Sequence, residues 1–379
     1  MPVSERCRWD RAHSVRTGAI GALLIREDEE AVVKVRRLIA ALIGGTASLL
    51  LGAIPSSGAN IQVSEGLDTI HAAVAQASPG DTLVLAPGLY EISSTVLIDK
   101  DLIITGGTTN PADVHIVAID GEEFNFQESV FVDPLDRGHI FFVKEPTQSI
   151  TFRYLTVKNA PETDITEGEC VEIFGLNHSE CMGDGIHTDG ALRVIVQNVN
   201  ASLNAGNGIF VDGAARAEFS SVTGVNNGAF GLDVDTALYL SISRSTFTAN
   251  QVSGLEASGH VLGTLRSAYT ADVLIDRTVA NGNGEIGIEV ERFETATINA
   301  TTCAENREDG FDADRVSQVT ITRSSFINNL DDGMELFPVD IQDPNEQPAD
   351  FPGSIIESYS KLTFSGNVSE DINHPPTEN

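Results

Sequence analysis

The segment "GDGIHTDG" gathers Asp184, His187 and Asp189 into one short stretch. A histidine between carboxylates can act as a general acid or base, and the flanking charges are expected to raise its pKa. Asp212 and Asp235 follow Asp189 at equal intervals, and Asp233 lies beside Asp235. Carboxylates repeated in this way offer oxygen ligands to a hard cation such as Ca²⁺. Abstracting a proton from carbon needs a base for the proton, a cation for the charge that develops and an acid for any leaving group. We therefore take His187, Asp189, Asp212 and Arg216 as candidate catalytic residues. Asp184, Arg193, Asp233, Asp235 and Tyr239 are candidates for substrate binding, and Asp189, Asp212 and Asp235 for Ca²⁺. The competing reading is a surface histidine at a turn, and arginines that pair with surface carboxylates.

The elements that would position these residues come from an internal repeat. Gly followed by an apolar residue occurs at Gly185, Gly208, Gly231 and Gly254, and again at Gly287, Gly310 and Gly333, with a period of 23 residues. The wider step from Gly254 to Gly287 is one period plus an insertion, expected within 259–271. Four residues before each Gly from Gly208 onward stands an Asn, from Asn204 to Asn329. Apolar residues alternate within each period, which is strand periodicity. Short strands separated by Asn and Gly at this spacing describe an all-β chain. It reads as a single-stranded right-handed parallel β-helix with 23-residue coils, clearest over 185–336. The stacked Asn should hydrogen-bond between coils, and the Gly should supply a turn conformation that other residues strain to adopt. Positions one and three after the Gly point inward, and positions two and four outward. The outward columns hold His187, Asp233, Glu256, Glu289, Asp312 and Glu335, and Asp189, Asp212, Asp235, Glu291 and Asp314. Either this sheet carries a cation-seeking face, or it shares a generally acidic exterior. Gly66 to Ser78 reads as an N-terminal capping helix with Leu67, Ile70 and Val74 on its buried face. Cys303 falls in a core column. "SKLTFSGN" reads as a last coil, preceded by an acidic, Pro-rich loop over 337–353.

The stretch "LDTIHAAVAQASPGDTLVLAPGLYEISSTVLIDKDLIITGG" and the Asn/Gly coils after it resemble the β-helix repeat proteins of the pectin-lyase-like superfamily. The likeness covers roughly 61–368. It implies the fold more strongly than an activity, because that superfamily holds lyases, hydrolases, esterases, epimerases, tailspikes, adhesins and a periplasmic copper-site maturation protein. Mannuronan C5-epimerases and polysaccharide lyases of this shape carry His and Asp in the outward columns, and pectate-lyase relatives hold Ca²⁺ on Asp and Glu. The epimerases' Asp-Pro-His-Asp/Glu motif has a partial counterpart in Asp133-Pro134-Leu135-Asp136, where Leu135 replaces the His. His139 could substitute only by folding back.

Composition sets limits. The chain has 55 acidic and 23 basic residues and a formal net charge of -32. Nucleic acid is excluded as a partner, because phosphate binding needs clustered Lys and Arg. Residues 34–59 read as a signal peptide, with Lys34, Arg36 and Arg37 before an apolar run from Leu38 to Ile54 and small residues up to Ala59. Residues 1–33 read as an over-long or non-native extension, leaving 60–379 as the β-helix domain. The expected location is secreted, periplasmic or cell-surface, with no stable membrane insertion once the signal is removed and with a monomeric protein. Cys170 and Cys181 could close a disulfide in such a compartment. Signal removal also takes Trp9, the only Trp, which counts against a sugar-stacking groove.

The leading expectation is a lyase or C5-epimerase on an acidic, uronic-acid-containing polysaccharide, with Ca²⁺ as an assisting ion. A non-catalytic adhesin or glycan-binding protein is the alternative, followed by a periplasmic metal-handling accessory.

Overall fold

The computed structural model describes residues 58–119, 138–161, 183–259, 271–337, 356–369 and 372. The expected signal peptide, the Asp133–Asp136 motif, the Cys170/Cys181 pair, and nearly all of the 259–271 insertion and the acidic loop lie outside them. Among the described residues no helix is long and apolar enough to cross a membrane.

Among the described residues every strand pairing is parallel, and each strand, the end ones aside, pairs with its counterparts one coil earlier and one coil later. Ile186 lies opposite Ile209, Ile209 opposite Leu232, and Leu232 opposite Leu255. The next step, Leu255 to Ile288, spans the long coil. Nine strands, from Val96–Ile98 to Met334–Phe337, stack in sequence order into one sheet. The other faces of the coil form a second sheet of 20 strands. This is a parallel β-helix, whose coils repeat at about 4.8 Å along the axis.

The alternation in sequence becomes alternation in burial. In the Ile186–Asp189 strand Ile186 and Thr188 are buried, while His187 and Asp189 reach the outer surface. Inward residues of successive coils pack into one continuous core, which includes Cys303; burial pushes its thiol pKa upward.

Two ladders hold the corners. In the first, Asn227 donates from both its backbone N and its Nδ2 to Asn250 Oδ1, at 3.1 and 3.0 Å. Asn250 repeats this toward Asn283, and the series continues through Asn306 and Asn329 to Asn367. The glycines serve this ladder by their lack of a side chain. A Cβ on Gly231 would lie 2.7 Å from Gly254 O and 2.8 Å from Asn250 Nδ2. The expectation of a special turn conformation is thereby corrected: Gly231 has no positive φ, and close coil stacking is what demands glycine. The left-handed corners are instead carried by residues such as Arg244, Arg277 and Arg323, with φ of 51°, 52° and 54°.

The second ladder was not foreseen. Where the residue just before the Gly is polar, at Asp184, Asn207, Ser253 and Asp309, its side chain accepts from the backbone N–H of its counterpart one coil on. Asp184 Oδ1 accepts from Asn207 N at 2.6 Å, and Asn207 Oδ1 from Phe230 N at 3.0 Å. Asp309 Oδ1 accepts from Asp332 N at 2.8 Å.

The N-terminal helix runs from Thr69 to Gln76 and buries Ile70, Ala73 and Val74 in the common core. Leu67 is a correction. It belongs to a two-residue strand before the helix and is 57 % exposed, because the helix starts only after Asp68, whose backbone is left-handed.

Candidate active site on the outer face of the nine-stranded sheet

The outer face is read from register. Leu97, Phe142, His187, Phe210 and Asp233 are successive neighbours in one column. The second column contains Asp189, Asp212 and Asp235. Lys144 follows Val143, the partner of Thr188, and so stands one coil before Asp189. The same register puts His139 one coil before Asp184, in the first rung of the second ladder.

His139 and Asp184 thereby meet although they are 45 residues apart. The Asp184 backbone N–H donates to His139 Nδ1 at 3.0 Å. His139 Nδ1 also lies 3.3 Å from Asp184 Oδ2. The Asp184 side chain is buried, with Oδ1 on Asn207 N and Oδ2 2.9 Å from His187 Nδ1. An ionised carboxylate only accepts, so His187 Nδ1 carries the proton and Nε2 keeps its lone pair. Burial alone would raise the Asp184 pKa. The His139 and His187 rings and their hydrogen bonds outweigh it and hold Asp184 at about 2.

The expected rise of the His187 pKa is overturned. It is lowered, first by burial and then by the His139 ring beside it, and Asp184 and Asp189 offset this only in part. The cause is packing. The His187 ring lies 4.2 Å from the His139 centroid, with Phe142 at 5.1 Å and Phe210 at 4.7 Å on its flanks. Its side chain keeps 15 % exposure. The result is a neutral imidazole, oriented by a buried carboxylate and partly exposed on the outer face. That is the arrangement of a general base.

Asp184 was assigned to substrate binding. At 4 % exposure it is instead the residue that fixes the tautomer and orientation of His187. Asp233 stands on the outer face beyond Phe210, and Asp235 is exposed within the Leu232–Ala237 strand. Asp189, Asp212 and Asp235 do share a column, but they do not make one metal site. Their successive coils set the first and third about 10 Å apart, and ligands of one ion must converge far more closely. Among the described residues two groups bring ligand atoms within 4.8 Å of one another: His139, Asp184 and His187, and Asp309, Asp332 and Glu335. In the second, burial and the nearby charges of Glu335, Asp331 and Asp332 push Asp309 up to about 7, against a hydrogen bond from Asp332 N.

Arg193, Arg216 and Tyr239 are not on this face. They are register neighbours at the start of strands in the 20-stranded sheet. The turn at Gly190, with φ of 75°, lies between them and Asp189. Arg193 and Arg216 both bond Glu218, at 3.0 and 2.8 Å, and the Arg216 guanidinium lies over the Tyr239 ring at 4.7 Å. Surface pairing, the competing expectation, is what these two arginines do.

His139 was considered only as a stand-in for the motif His; its place beside Asp184, and Lys144 altogether, were missed because Ile140 stands where later coils have Gly. Aligning "HIFFVK" on "DGIHTD" would have found both.

No curated protein matches the chain. Solved structures similar to it include the mannuronan C-5 epimerase AlgE4 A-module of Azotobacter vinelandii. That likeness has 14 % identity and a TM-score of 0.49, covering 82 % of this chain and 94 % of the other. The PL6 family alginate lyase AlyGC is similar at 17 % identity and a TM-score of 0.46, over 81 % of this chain and 40 % of the lyase. The periplasmic alginate epimerase AlgG is similar at 11 % identity and a TM-score of 0.40, over 83 % of this chain and 84 % of the other. A family described as a right handed beta helix region matches residues 141–367. Stacked parallel coils, continuous inner core and this match agree, and the chain belongs to the right-handed β-helix family.

Proposed function

We propose that the protein acts on an acidic, uronic-acid-containing polysaccharide as a lyase or C5-epimerase, outside the cytoplasm. The observation that carries the proposal is the buried Asp184 carboxylate on His187 Nδ1, which leaves a neutral Nε2 lone pair for a proton on carbon. In both reactions His187 Nε2 takes the C5 proton while the sugar carboxylate accepts the electron pair. In a lyase the pair then forms the C4–C5 double bond, and the C4–O bond breaks as the His187 imidazolium or water protonates the leaving oxygen. In an epimerase water delivers a proton to C5 from the other side, and His187 releases its own to solvent. Phe142 and Phe210 keep water from the imidazole faces, which strengthens the interactions there.

Ca²⁺ shared between two adjacent carboxylates of the Asp189 column is the ion this face would take. It bears on no step above, since the three aspartates do not converge on one ion.

The test is activity of the purified protein on alginate, pectate and glycosaminoglycans in deuterated water, with and without Ca²⁺. Formation of an unsaturated uronide, or of a changed epimer ratio with deuterium at C5, is the expected result. Neither product from any uronan would overturn the proposal.

A further inference from the structure

The N-terminal end of the same face holds a cavity of about 440 Å³ between the capping helix and the Val96–Ile98 strand. Its floor includes Leu97 and Asp99, and Lys100, Lys144, His71 and Ser94 surround it. Volumes of this size are typical of small-molecule sites. Lys100 is engaged: its ammonium lies 3.3 Å from Val74 O and 3.5 Å from Ala77 O at the helix end, and 3.7 Å from Asp99. His71 is fastened too, with Nε2 2.9 Å from Ser94 O. Lys144 is half-buried and makes no ion pair among the described residues. Lys144 is thus the ammonium at this cavity without an ion pair among the described residues, with Asp99 and Asp189 one coil to either side of it. An ammonium not taken up by a carboxylate of its own is available to an anion.

Position narrows the ligand. Leu97, Phe142 and His187 are consecutive in one column, so the cavity floor lies two coil spacings, about 10 Å, from the catalytic ring. On its far side stand Val74 and Ala75 of the helix. A polymer lying along the column meets the helix there and cannot continue. We propose that this cavity is a terminal subsite, which holds the end of an acidic glycan by a carboxylate on Lys144 and makes the protein act near chain ends. The inference rests on the uronan-processing reading above and adds the mode of engagement.

Isothermal titration of the full-length protein with trimannuronate and trigalacturonate, and with neutral cellotriose, tests it. The acidic trimers should bind and cellotriose should not. Lys144→Ala and Lys144→Gln should each weaken trimer binding at least about tenfold, the cost of a charge-assisted contact. Ala75→Trp, on the exposed side of the helix, should fill the cavity and remove binding, with an unchanged melting temperature. Trimer binding that is absent in the wild type, or unaltered by both Lys144 variants, overturns the subsite. Turnover of long polymer in that case leaves the uronan reading standing. Trimer binding sensitive to Lys144 with no turnover of any uronan upholds the subsite and sinks the enzymatic reading.

Discussion

Asp184 Oδ2 lies 2.9 Å from His187 Nδ1, and the same carboxylate holds the backbone of Asn207 through Oδ1 at 2.6 Å. One buried side chain thus belongs both to the corner ladder and to the candidate active site. The ladder fixes the carboxylate, and the carboxylate fixes the imidazole.

Replacing His187 by Ala should lower turnover on a uronan by about 10²- to 10⁴-fold, the usual range for a general base. The melting temperature should fall as well, since the buried Asp184 carboxylate loses its bond to Nδ1, so turnover is compared at a temperature where the variant is fully folded. Turnover within a few-fold of wild type would remove His187 from the mechanism.

Asp184→Asn separates the two duties of the carboxylate. An amide oxygen can still accept from Asn207 N, as Asn207 itself does one coil on, so the fold should persist. Loss of the negative charge removes support for the imidazolium, and the His187 pKa should drop further. The acid limb of the kcat/KM profile should then shift to lower pH, with kcat reduced. A merely structural role for Asp184 would leave the shape of that profile unchanged.

Stability should depend on pH through three groups. Asp309 is raised from 3.8 to about 7. Its folded form keeps a proton that the unfolded chain has lost, so its contribution is complete below about pH 4 and disappears as pH rises through 7. His187 is lowered from 6.5, so its contribution is complete above that pH and is lost on acidification. Asp184, at about 2 instead of 3.8, contributes above 3.8 and loses that contribution as pH falls through about 2. Asp309→Asn keeps the acceptor for Asp332 N and should abolish the loss of melting temperature between pH 4 and 7. An unchanged slope in that variant would show that Asp309 is ionised when folded.

The ladders make a sharp prediction about glycine. Gly231→Ala would push a Cβ to 2.7 Å from Gly254 O and 2.9 Å from the Phe247 ring. Neither is the free end of a flexible chain, so denaturation should report a loss of more than about 2 kcal/mol. Asn250→Ala should lose about 2–4 kcal/mol, because it strands the backbone N–H of Asn227 in the interior.

Arg216→Ala should leave turnover unchanged and stability within about 1 kcal/mol, the scale of exposed ion pairs. A large loss of turnover would place the substrate on the other sheet.

The architecture was legible because it repeats. Each coil must satisfy the same local demands: alternate residues inward, an Asn at one corner, and no side chain where coils come closest. Those demands recur with the coil, so the sequence by itself determined the parallel β-helix, the register of its later coils and the two outward columns that hold His187 and Asp189. What breaks the repeat escaped it. Ile140 in place of a glycine hid the coil that supplies His139 and Lys144, and stacking across 45 residues brought His139 against Asp184 and His187. The direction of the His187 pKa also needed the tertiary structure, since flanking carboxylates argue for a rise while burial among His139, Phe142 and Phe210 enforces a drop. The turn at Gly190 decided the fate of Arg193 and Arg216 by carrying them to another sheet. Periodicity records which face a residue occupies; only stacking between unlike coils decides which side chains meet there.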